Sequence, residues 1–413
     1  MAGPERIETL IIGGGQAGLV MSHMLTKRGR PHLVLERYRI AERWRTERWD
    51  GLYFQFPNWS VGLPDFPFPH GDPEGFAGKD EIIAYIEAYA DFIKPPLRTG
   101  VTVTSLRRRA DGDGFIAETS EGSIDSDNVV VATGPYQRPR LPDVAGDIGD
   151  VSQVHASHYA NPQQLPPGAV LVVGAGASGA QIAEELMRAG RRVYLSVGQH
   201  RRLPRRYRGR DFRWWMQSLR RDQLLPADRG PRNFLSLVIT GAYGGHTVDF
   251  RDFAAAGVTL TGHFTGARDG VLHFADDLTE NLKAGDEVYR GFLDMADAYV
   301  AHAKLAMPPE PEAHQLPPDP PALLHPPRQL DIRGDNIGAI VWATGYALDF
   351  GWIDLPVFET NGEPIHQLGV TEIPGLYFLG LLWLSGPGSS FLSGVSDDAS
   401  RLADHMTARR TST

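Results

Sequence analysis

The chain has 413 residues, a length typical of two domains or of one domain with a large insertion. Its 41 basic and 50 acidic residues give a net charge of −9, which excludes nucleic acid as the main partner because phosphate binding needs a basic surface. The absence of cysteine excludes disulfide scaffolds, thiolate metal sites, iron–sulfur clusters and dithiol redox chemistry. We predict no metal site, no membrane span and no signal peptide, and we expect a soluble, cytoplasmic protein.

The first motif is a glycine-rich turn, GGGQAG, between an apolar run and an amphipathic run. Gly13 allows the sharp turn, Gly15 lets the backbone approach a pyrophosphate, and Gly18 lets helix and strand pack closely. Glu36 ends the next predicted strand, where a carboxylate accepts hydrogen bonds from a ribose diol. With strand, helix and acid in register, the pattern predicts a dinucleotide site rather than a merely glycine-rich turn.

The same pattern returns 161 residues later as GAGASG. Gly174, Gly176 and Gly179 occupy the three glycine positions between a second apolar strand and a second predicted helix. The strand that follows ends at Ser196 without a carboxylate. An acid at this position would repel a 2′-phosphate, so its absence favours NADP over NAD.

Arginines follow this second strand and extend the same argument. Arg201 and Arg202 begin a basic run that reaches Arg213, and guanidinium groups are good partners for a phosphate. The alternative is that the run is a solvated surface. The residues that would contact the ribose differ between the two motifs, which predicts two different dinucleotides. The simplest assignment is FAD at the first turn and NADPH at the second.

Two similar segments, each ending in ATG, lie on either side of the second turn. The first ends in Thr133 and Gly134, and the second in Ala343, Thr344 and Gly345. This arrangement suggests that one nucleotide-binding unit is inserted into the other, and we expect these loop residues to contact the cofactors.

The predicted fold class is therefore α/β, with two dinucleotide-binding Rossmann-like domains and the NADP domain inserted into the FAD domain. We assign residues 1–138 and 330–413 to the FAD-binding domain and residues 139–329 to the NADP-binding domain. The latter includes an irregular and helical excursion over about residues 203–329.

At this point the chain resembles the flavin-containing monooxygenases, including the plant auxin-forming branch and many bacterial relatives. Both glycine turns, both ATG segments and residues 49–69, which end in PDFPFP, carry the resemblance. It implies that residues 49–69 lie over the flavin and that Gln55 and Asn58 serve as catalytic polar residues at the flavin edge. It also implies that Trp44 and Arg45 belong to the FAD site.

A family motif before the second turn supplies a third expected catalytic residue, His155. His155 and Tyr159 match this motif, whereas Gly149 and Val151 stand where the family has Phe and Gly. The tyrosine favours the branch that oxygenates heteroatoms over the Baeyer–Villiger branch. The chemistry implied is hydride transfer from NADPH to FAD, capture of O2 as a flavin C4a-hydroperoxide and transfer of one oxygen atom to a small organic substrate, most readily at nitrogen or sulfur.

Two other functions share every nucleotide motif. One is an NADPH-dependent flavin reductase or oxidase whose oxygen chemistry ends at peroxide, and the other is a redox-sensing flavoprotein. A disulfide reductase is excluded because the chain has no cysteine. The substrate class and a homodimeric state stay open, and the expected partners are the small-molecule substrate and O2.

Three further segments carry structural expectations. Trp214 and Trp215 cannot share one helix face, so one of them lines a substrate cleft, packs in the core or meets a partner. Residues 286–305 show the apolar spacing of an amphipathic core helix. Residues 308–327 are rich in proline and read as an extended connector.

Overall fold

The computed structural model describes residues 4–69, 71–110, 112–143, 148–221 and 237–411. Part of the predicted excursion, residues 222–236, lies outside the described residues. The helices are, in chain order, α1 (Gln16–Lys27), α2 (Glu42–Thr46), α3 (Lys79–Ile93), α4 (Ala177–Arg188), α5 (Phe212–Arg221), α6 (Phe250–Ala255), α7 (Leu278–His302) and α8 (Val395–Thr411).

The strands are, in chain order, β1 (Glu5–Ile12), β2 (His32–Glu36), β3 (Gly62–Leu63), β4 (Phe66–Pro67), β5 (Leu97–Thr99), β6 (Val103–Arg108), β7 (Phe115–Thr119), β8 (Gly122–Val131), β9 (Arg138–Pro139), β10 (Ser152–His155), β11 (Ala169–Val173), β12 (Val193–Ser196), β13 (Arg201–Arg202), β14 (Arg206–Tyr207), β15 (Arg210–Asp211), β16 (Leu237–Val238), β17 (Thr259–Thr261), β18 (Phe264–Arg268), β19 (Val271–Phe274), β20 (Gln329–Asp331), β21 (Ile337–Trp342), β22 (Tyr346–Ala347) and β23 (Leu376–Phe378).

Two large sheets organise the chain, the first mixed with a parallel core and the second entirely parallel. The first has the order β5-β2-β1-β8, with β23 beside the last half of β8 and the antiparallel β7 and β6 beside its first half. The second has the order β10-β21-β11-β12-β17 and is parallel throughout. Their central strands are buried on both faces, which explains why they read as continuous apolar runs.

The chain returns from the second sheet later than the sequence suggested. The stretch 330–413 was assigned to the FAD-binding part, yet β21 pairs with β10 and β11 in the second sheet. The apolar sequence of β21 predicts a buried strand but does not specify which strands it pairs with, because its partners lie far away in the chain. The second sheet therefore extends to Trp342.

The excursion after Arg202 is also more ordered than predicted. β17 adds an edge strand to the second sheet, and β18, β19 and β20 form a small antiparallel sheet. The two passages between the large sheets also contact each other, because β9 pairs antiparallel with β22. The two chain segments that connect the large sheets are thus hydrogen-bonded to each other.

The predicted amphipathic helix is confirmed as α7, which begins at Leu278, eight residues before the predicted start at position 286. It buries an apolar face that includes Phe292 and Leu293, and Trp215 of α5 packs fully buried in the same cluster. The Trp215 indole nitrogen donates to the Tyr207 carbonyl at 3.0 Å. Trp215 is thus a core residue. Among the described helices, no segment combines the length and apolar character required to cross a bilayer.

Candidate functional site

The two glycine turns have nearly the same backbone conformation. Gly13 has φ +110° and Gly174 has φ +102°, values that favour glycine. Gly15 and Gly176 take the N-cap positions of α1 and α4, with φ/ψ of −73°/−175° and −75°/−171°. Glycine has no side chain with which to cap a helix, so neither N-cap residue satisfies the backbone N–H groups of its own first turn.

Close backbone contacts require glycine at the first position of each turn. A Cβ atom on Gly13 would lie 2.6 Å from the Ala132 carbonyl oxygen, and one on Gly174 would lie 2.6 Å from the Ala343 oxygen. At the third position, a Cβ on Gly18 would collide with the Gly13 carbonyl oxygen. These contacts explain the glycine spacing of the motif in physical terms.

Each ATG segment belongs to its own turn. The Ala132 amide donates to Ile12 at 2.8 Å, and the Ala343 amide donates to Val173 at 2.8 Å. Each segment therefore leaves the sheet beside the glycine turn of that sheet. The second ATG segment thus lies in the second sheet rather than in the stretch assigned to FAD.

The loop residues of the ATG segments make local contacts. Thr133 and the Gly134 carbonyl both accept hydrogen bonds from the Gln137 side chain, at 2.9 and 2.8 Å. The Thr344 hydroxyl donates to the Arg140 carbonyl. A Cβ on Gly134 or Gly345 would meet nothing within 4 Å, so both glycines border open space.

The first turn fits a dinucleotide. A Cβ on Gly15 would meet nothing within 4 Å, which leaves room for a pyrophosphate beside the start of α1. The Glu36 carboxylate accepts from the Gly14 amide at 2.7 Å and from the Tyr38 amide at 2.9 Å. Because each carboxylate oxygen has two lone pairs, Glu36 keeps acceptor capacity for a ribose.

Trp44 and Arg45, which were predicted to belong to the FAD site, make different contacts. Trp44 is half-buried and packs against the clusters of both sheets, with its ring 6.1 Å from that of Phe54. The Arg45 guanidinium forms an ion pair with Glu87 of α3. Arg45 thus links α2 to α3.

The residues predicted to read the 2′-phosphate are largely engaged within the protein. The Ser196 hydroxyl is buried and donates to the Gly262 carbonyl at 2.9 Å. Arg202 is buried and pairs with Asp249 at 2.6 Å and Asp286 at 2.8 Å. Arg201, the remaining residue predicted to bind the 2′-phosphate, is half-buried and takes no part in the contacts of Ser196 and Arg202, but it also has interactions within the protein.

Arg202 is therefore corrected from a phosphate ligand to a member of a buried ion-pair network. Arg251 pairs with Asp286 at 2.8 Å and with Asp319 at 2.6 Å, so the network joins β13, α6, α7 and the proline-rich connector. Two aspartates neutralise the Arg202 guanidinium, which removes the positive charge that a phosphate would need. The sequence could not reveal this, since the aspartates come from distant segments.

The segment that carries Gln55 meets the second sheet unit directly. The Gln55 amide donates to the Ile239 carbonyl at 3.3 Å, and the Gln181 amide of α4 donates to the same carbonyl at 3.3 Å. Gln181 lies two residues after Gly179. One backbone carbonyl therefore joins the segment around Gln55 to the beginning of the second nucleotide-binding helix.

Asn58 is buried with half of its side chain unsatisfied. Its amide nitrogen donates to the Asp72 carbonyl at 3.0 Å, while its Oδ1 atom is buried and has no hydrogen-bond partner among the described residues. Buried polar atoms are normally paired, so an orphan acceptor at this place is a feature expected of a ligand site.

The first glycine turn reaches the same segment from the other side. The Gln16 side chain, at the start of α1, donates to the Ser390 carbonyl at 2.7 Å. The next residue, Phe391, packs on Phe56 with ring centroids 5.2 Å apart. A continuous series of contacts thus joins the start of α1 to residues 55–56, and through Ile239 to α4.

Arg205 is a site residue that sequence reasoning missed. It is buried and donates to the Gln55 carbonyl at 2.7 Å, to the Thr240 carbonyl at 3.3 Å and to Asp211 at 2.7 Å. It therefore fixes the segment around Gln55 to the second unit. In the sequence it is one arginine in a run of several, with no local signal of burial.

His155 lies apart from Gln55 and Asn58. Its ring bonds the Ser157 hydroxyl at 2.8 Å and the Gly345 carbonyl at 3.0 Å, and it packs on Tyr346. Burial lowers the pKa of His155, against the opposing effect of the Gly345 carbonyl. None of its contacts within the described residues reaches residues 54–59. The structure therefore favours a positioning role at the crossing between the sheets.

These features define an oxidoreductase of the two-dinucleotide class: two matching glycine turns, on separate parallel sheets, converge on one polar segment. Residues 10–224 match the family model described as pyridine nucleotide-disulphide oxidoreductase.

Relatives at the sequence level cover the chain to different extents. The chain is 33% identical over 414 residues to an uncharacterized CzcO-like oxidoreductase of Geobacillus kaustophilus (strain HTA426). This alignment covers 97% of this chain and 98% of the relative. It is 35% identical over 201 residues to indole-3-pyruvate monooxygenase YUCCA1 of Oryza sativa subsp. japonica, 47% of this chain and 49% of that protein. Among solved structures, a flavin-containing monooxygenase from Stenotrophomonas maltophilia aligns with a TM-score of 0.67 at 17% identity, over 98% of this chain and 99% of that one.

The chain belongs to the pyridine nucleotide-disulphide oxidoreductase family, and its relatives support the flavin-containing monooxygenase family. The family prediction is confirmed, and so is the prediction of an enzyme that uses FAD and NADPH. The structural likeness establishes the dinucleotide-binding fold.

A matched pair of glycine variants tests the first turn. We expect Gly15→Val to fold, because its backbone conformation suits any residue and the added atoms enter open space, but to lose FAD because those atoms occupy the pyrophosphate position. We expect Gly18→Ala to lose about 1–3 kcal/mol of unfolding free energy through overpacking. Urea denaturation and flavin absorbance measure the two effects. Full FAD content in Gly15→Val, or release of FMN rather than FAD from the wild type, would contradict the assignment.

A second prediction concerns Arg202. Arg202→Ala removes one of the two buried cations of this network and leaves Asp249 and Asp286 with Arg251 alone, so we expect a loss of about 3–5 kcal/mol in unfolding free energy. Affinities for NADPH and NADH should fall together. The exposed Arg206→Ala variant is the control and should stay within about 0.5 kcal/mol of wild type. A loss confined to NADPH, with unchanged stability, would restore the phosphate-binding role.

Proposed function

We propose that the chain is an NADPH-dependent FAD monooxygenase that inserts one oxygen atom from O2 into a small organic substrate, at nitrogen or sulfur. In this proposal FAD binds the first glycine turn and NADPH the second, and the NADP-binding unit is inserted into the FAD-binding unit. One oxygen atom enters the substrate and the other leaves as water, with two electrons supplied by NADPH.

The observation that carries the proposal is the junction at Ile239. Gln55 follows the first turn in the chain and Gln181 follows the second, yet both donate to this one carbonyl at 3.3 Å. The convergence supports a reaction centre between the two dinucleotides. When bound, the cofactors supply hydride transfer from nicotinamide to flavin and the reduction of O2 by the flavin.

The protein's own part in this chemistry is to supply hydrogen bonds and to exclude water. Asn58 offers a buried acceptor, and its amide nitrogen is already oriented by the Asp72 carbonyl. Phe56 and Pro57 are buried on the same segment and keep bulk solvent from it. Arg205 holds the segment against the second unit. Preorganised polar groups in a dry site are what oxygen transfer requires.

Isotope-labelled O2 tests the reaction class. Wild-type protein with FAD and NADPH is incubated with a panel of amines, sulfides and ketones, while NADPH consumption, peroxide and labelled product are measured. We expect at least one amine or sulfide to accelerate NADPH consumption and to acquire labelled oxygen. Peroxide as the sole product across the panel would favour the reductase or oxidase, and slow flavin reduction at saturating NADPH would favour the redox sensor.

A third prediction assigns the coupling of the reaction to Gln55 and Asn58. Loss of one hydrogen bond of about 0.5–1.5 kcal/mol changes a rate by roughly 2- to 10-fold. We therefore expect Asn58→Ala or Gln55→Leu to retain FAD and normal reduction by NADPH, while the ratio of peroxide to oxygenated product rises by about that factor. Gln217→Leu, on the exposed face of α5, is the control. Unchanged ratios in both site variants would remove these residues from the proposed mechanism.

A further inference from the structure

One face of α5 lies against the loop of residues 385–394, beside the first glycine turn. The loop is tied to α1 through the bond between Gln16 and the Ser390 carbonyl. It is tied to the segment around Gln55 through the stacking of Phe391 on Phe56. Any group between α5 and this loop therefore borders the proposed reaction centre.

Two arginines project from this face of α5 toward the loop. Arg213 donates to the Ser393 hydroxyl at 2.8 Å, and its guanidinium lies 5.3 Å from the centre of the Phe56 ring. The Arg220 guanidinium lies over Gly386, where a Cβ atom would be 3.2 Å from Nη2. Seven residues separate them, which is two helical turns or about 10 Å along the axis.

Neither guanidinium has a carboxylate partner among the described residues. In the described ranges, no carboxylate oxygen lies within 4.0 Å of the guanidinium nitrogens of Arg213 or Arg220, whereas Arg202 and Arg205 each have buried aspartate partners. The Asp211 carboxylate accepts from the Arg213 backbone amide at 2.7 Å, not from its guanidinium. The nearby Asp211 carboxylate is held by Arg205 at 2.7 Å. Burial lowers the pKa of Arg213, the positive charge of Arg220 lowers it further, and Asp211 opposes both effects.

Unsatisfied donors occur at the same place. The Arg213 Nε atom is buried without a hydrogen-bond partner among the described residues, and so is the Ser390 hydroxyl oxygen. A ligand that satisfies these groups must offer acceptors and negative charge, because a guanidinium can only donate. The rings of Phe56 and Phe391 supply apolar surface beside it.

From these observations we propose an oxyanion site between α5 and the loop of residues 385–394, in which Arg213 and Arg220 bind the carboxylate or phosphate of a small organic ligand. The oxyanion comes from an anionic substrate or from the nicotinamide coenzyme. The inference deepens the proposed function by naming a ligand class, but it concerns binding and does not require oxygen transfer.

Equilibrium titration of the FAD-loaded protein tests the site. The probes are benzoate, its neutral counterpart benzamide, and NADP⁺, each monitored by calorimetry in wild type, Arg213→Gln and Arg220→Gln. A charged hydrogen bond corresponds to roughly 10- to 150-fold in affinity. We expect the affinity for benzoate, or for NADP⁺, to fall by about this factor in Arg213→Gln, with benzamide unchanged. Arg206→Gln, an exposed arginine outside the site, is the matched control.

The pattern across the probes separates the two sources. Loss of benzoate affinity with intact NADP⁺ binding assigns the oxyanion to the substrate, and the reverse assigns it to the coenzyme. The proposal is overturned when both Gln variants bind benzoate and NADP⁺ as the wild type does, or when Arg206→Gln reproduces their effect. Should Arg213→Gln fail to fold, Arg220→Gln at the exposed rim and the charge-retaining Arg213→Lys carry the same comparison. A failure of oxygen transfer leaves these binding results untouched.

Discussion

The close approach of each glycine turn to a neighbouring backbone carbonyl is the constraint on which the rest of the site depends. A Cβ atom on Gly13 would lie 2.6 Å from the Ala132 oxygen, one on Gly174 would lie equally close to the Ala343 oxygen, and the two glycines have similar left-handed φ angles. A side chain at either position would push the turn away from the sheet, and the helix would then no longer begin at the sheet edge. Because both turns obey this constraint, both helix N-termini are held at the carboxyl ends of parallel strands, where anions bind.

Sequence-local features were therefore predictable, whereas contacts between distant segments were not. The glycine spacing, the acid at Glu36 and the paired ATG segments follow from local backbone requirements, and each is visible in the sequence. The membership of β21 in the second sheet depends on which strands pair, and an apolar strand does not specify its neighbour. Gln181 and Ile239 likewise meet Gln55 only through the fold.

The arginines after the second glycine turn also have different partners that the sequence does not reveal. Arg202, Arg205 and Arg213 stand close together in the sequence and look equivalent there. The structure divides them by their partners, since Arg202 and Arg205 pair with buried aspartates, whereas the Arg213 guanidinium has no carboxylate partner in the part of the chain that the structure describes. A buried cation needs compensating charge, so the aspartates compensate Arg202 and Arg205 within the protein, while the proposed oxyanion would compensate Arg213 from outside.

The junction at Ile239 has a further property that follows from its geometry. Both amide donors lie 3.3 Å from the carbonyl oxygen, beyond the usual range of 2.7–3.2 Å for such bonds, so each contributes little energy. By contrast, Arg205 holds the same segment with a charged donor 2.7 Å from the Gln55 carbonyl. The strong, buried bond from Arg205 thus maintains the position of the segment around Gln55. The side-chain amides of Gln55 and Gln181 would lose little free energy if they left the Ile239 carbonyl to bind a ligand. The proposed function needs a segment whose backbone stays in place while its side chains turn to a substrate, and one strong contact beside two weak ones suits that need.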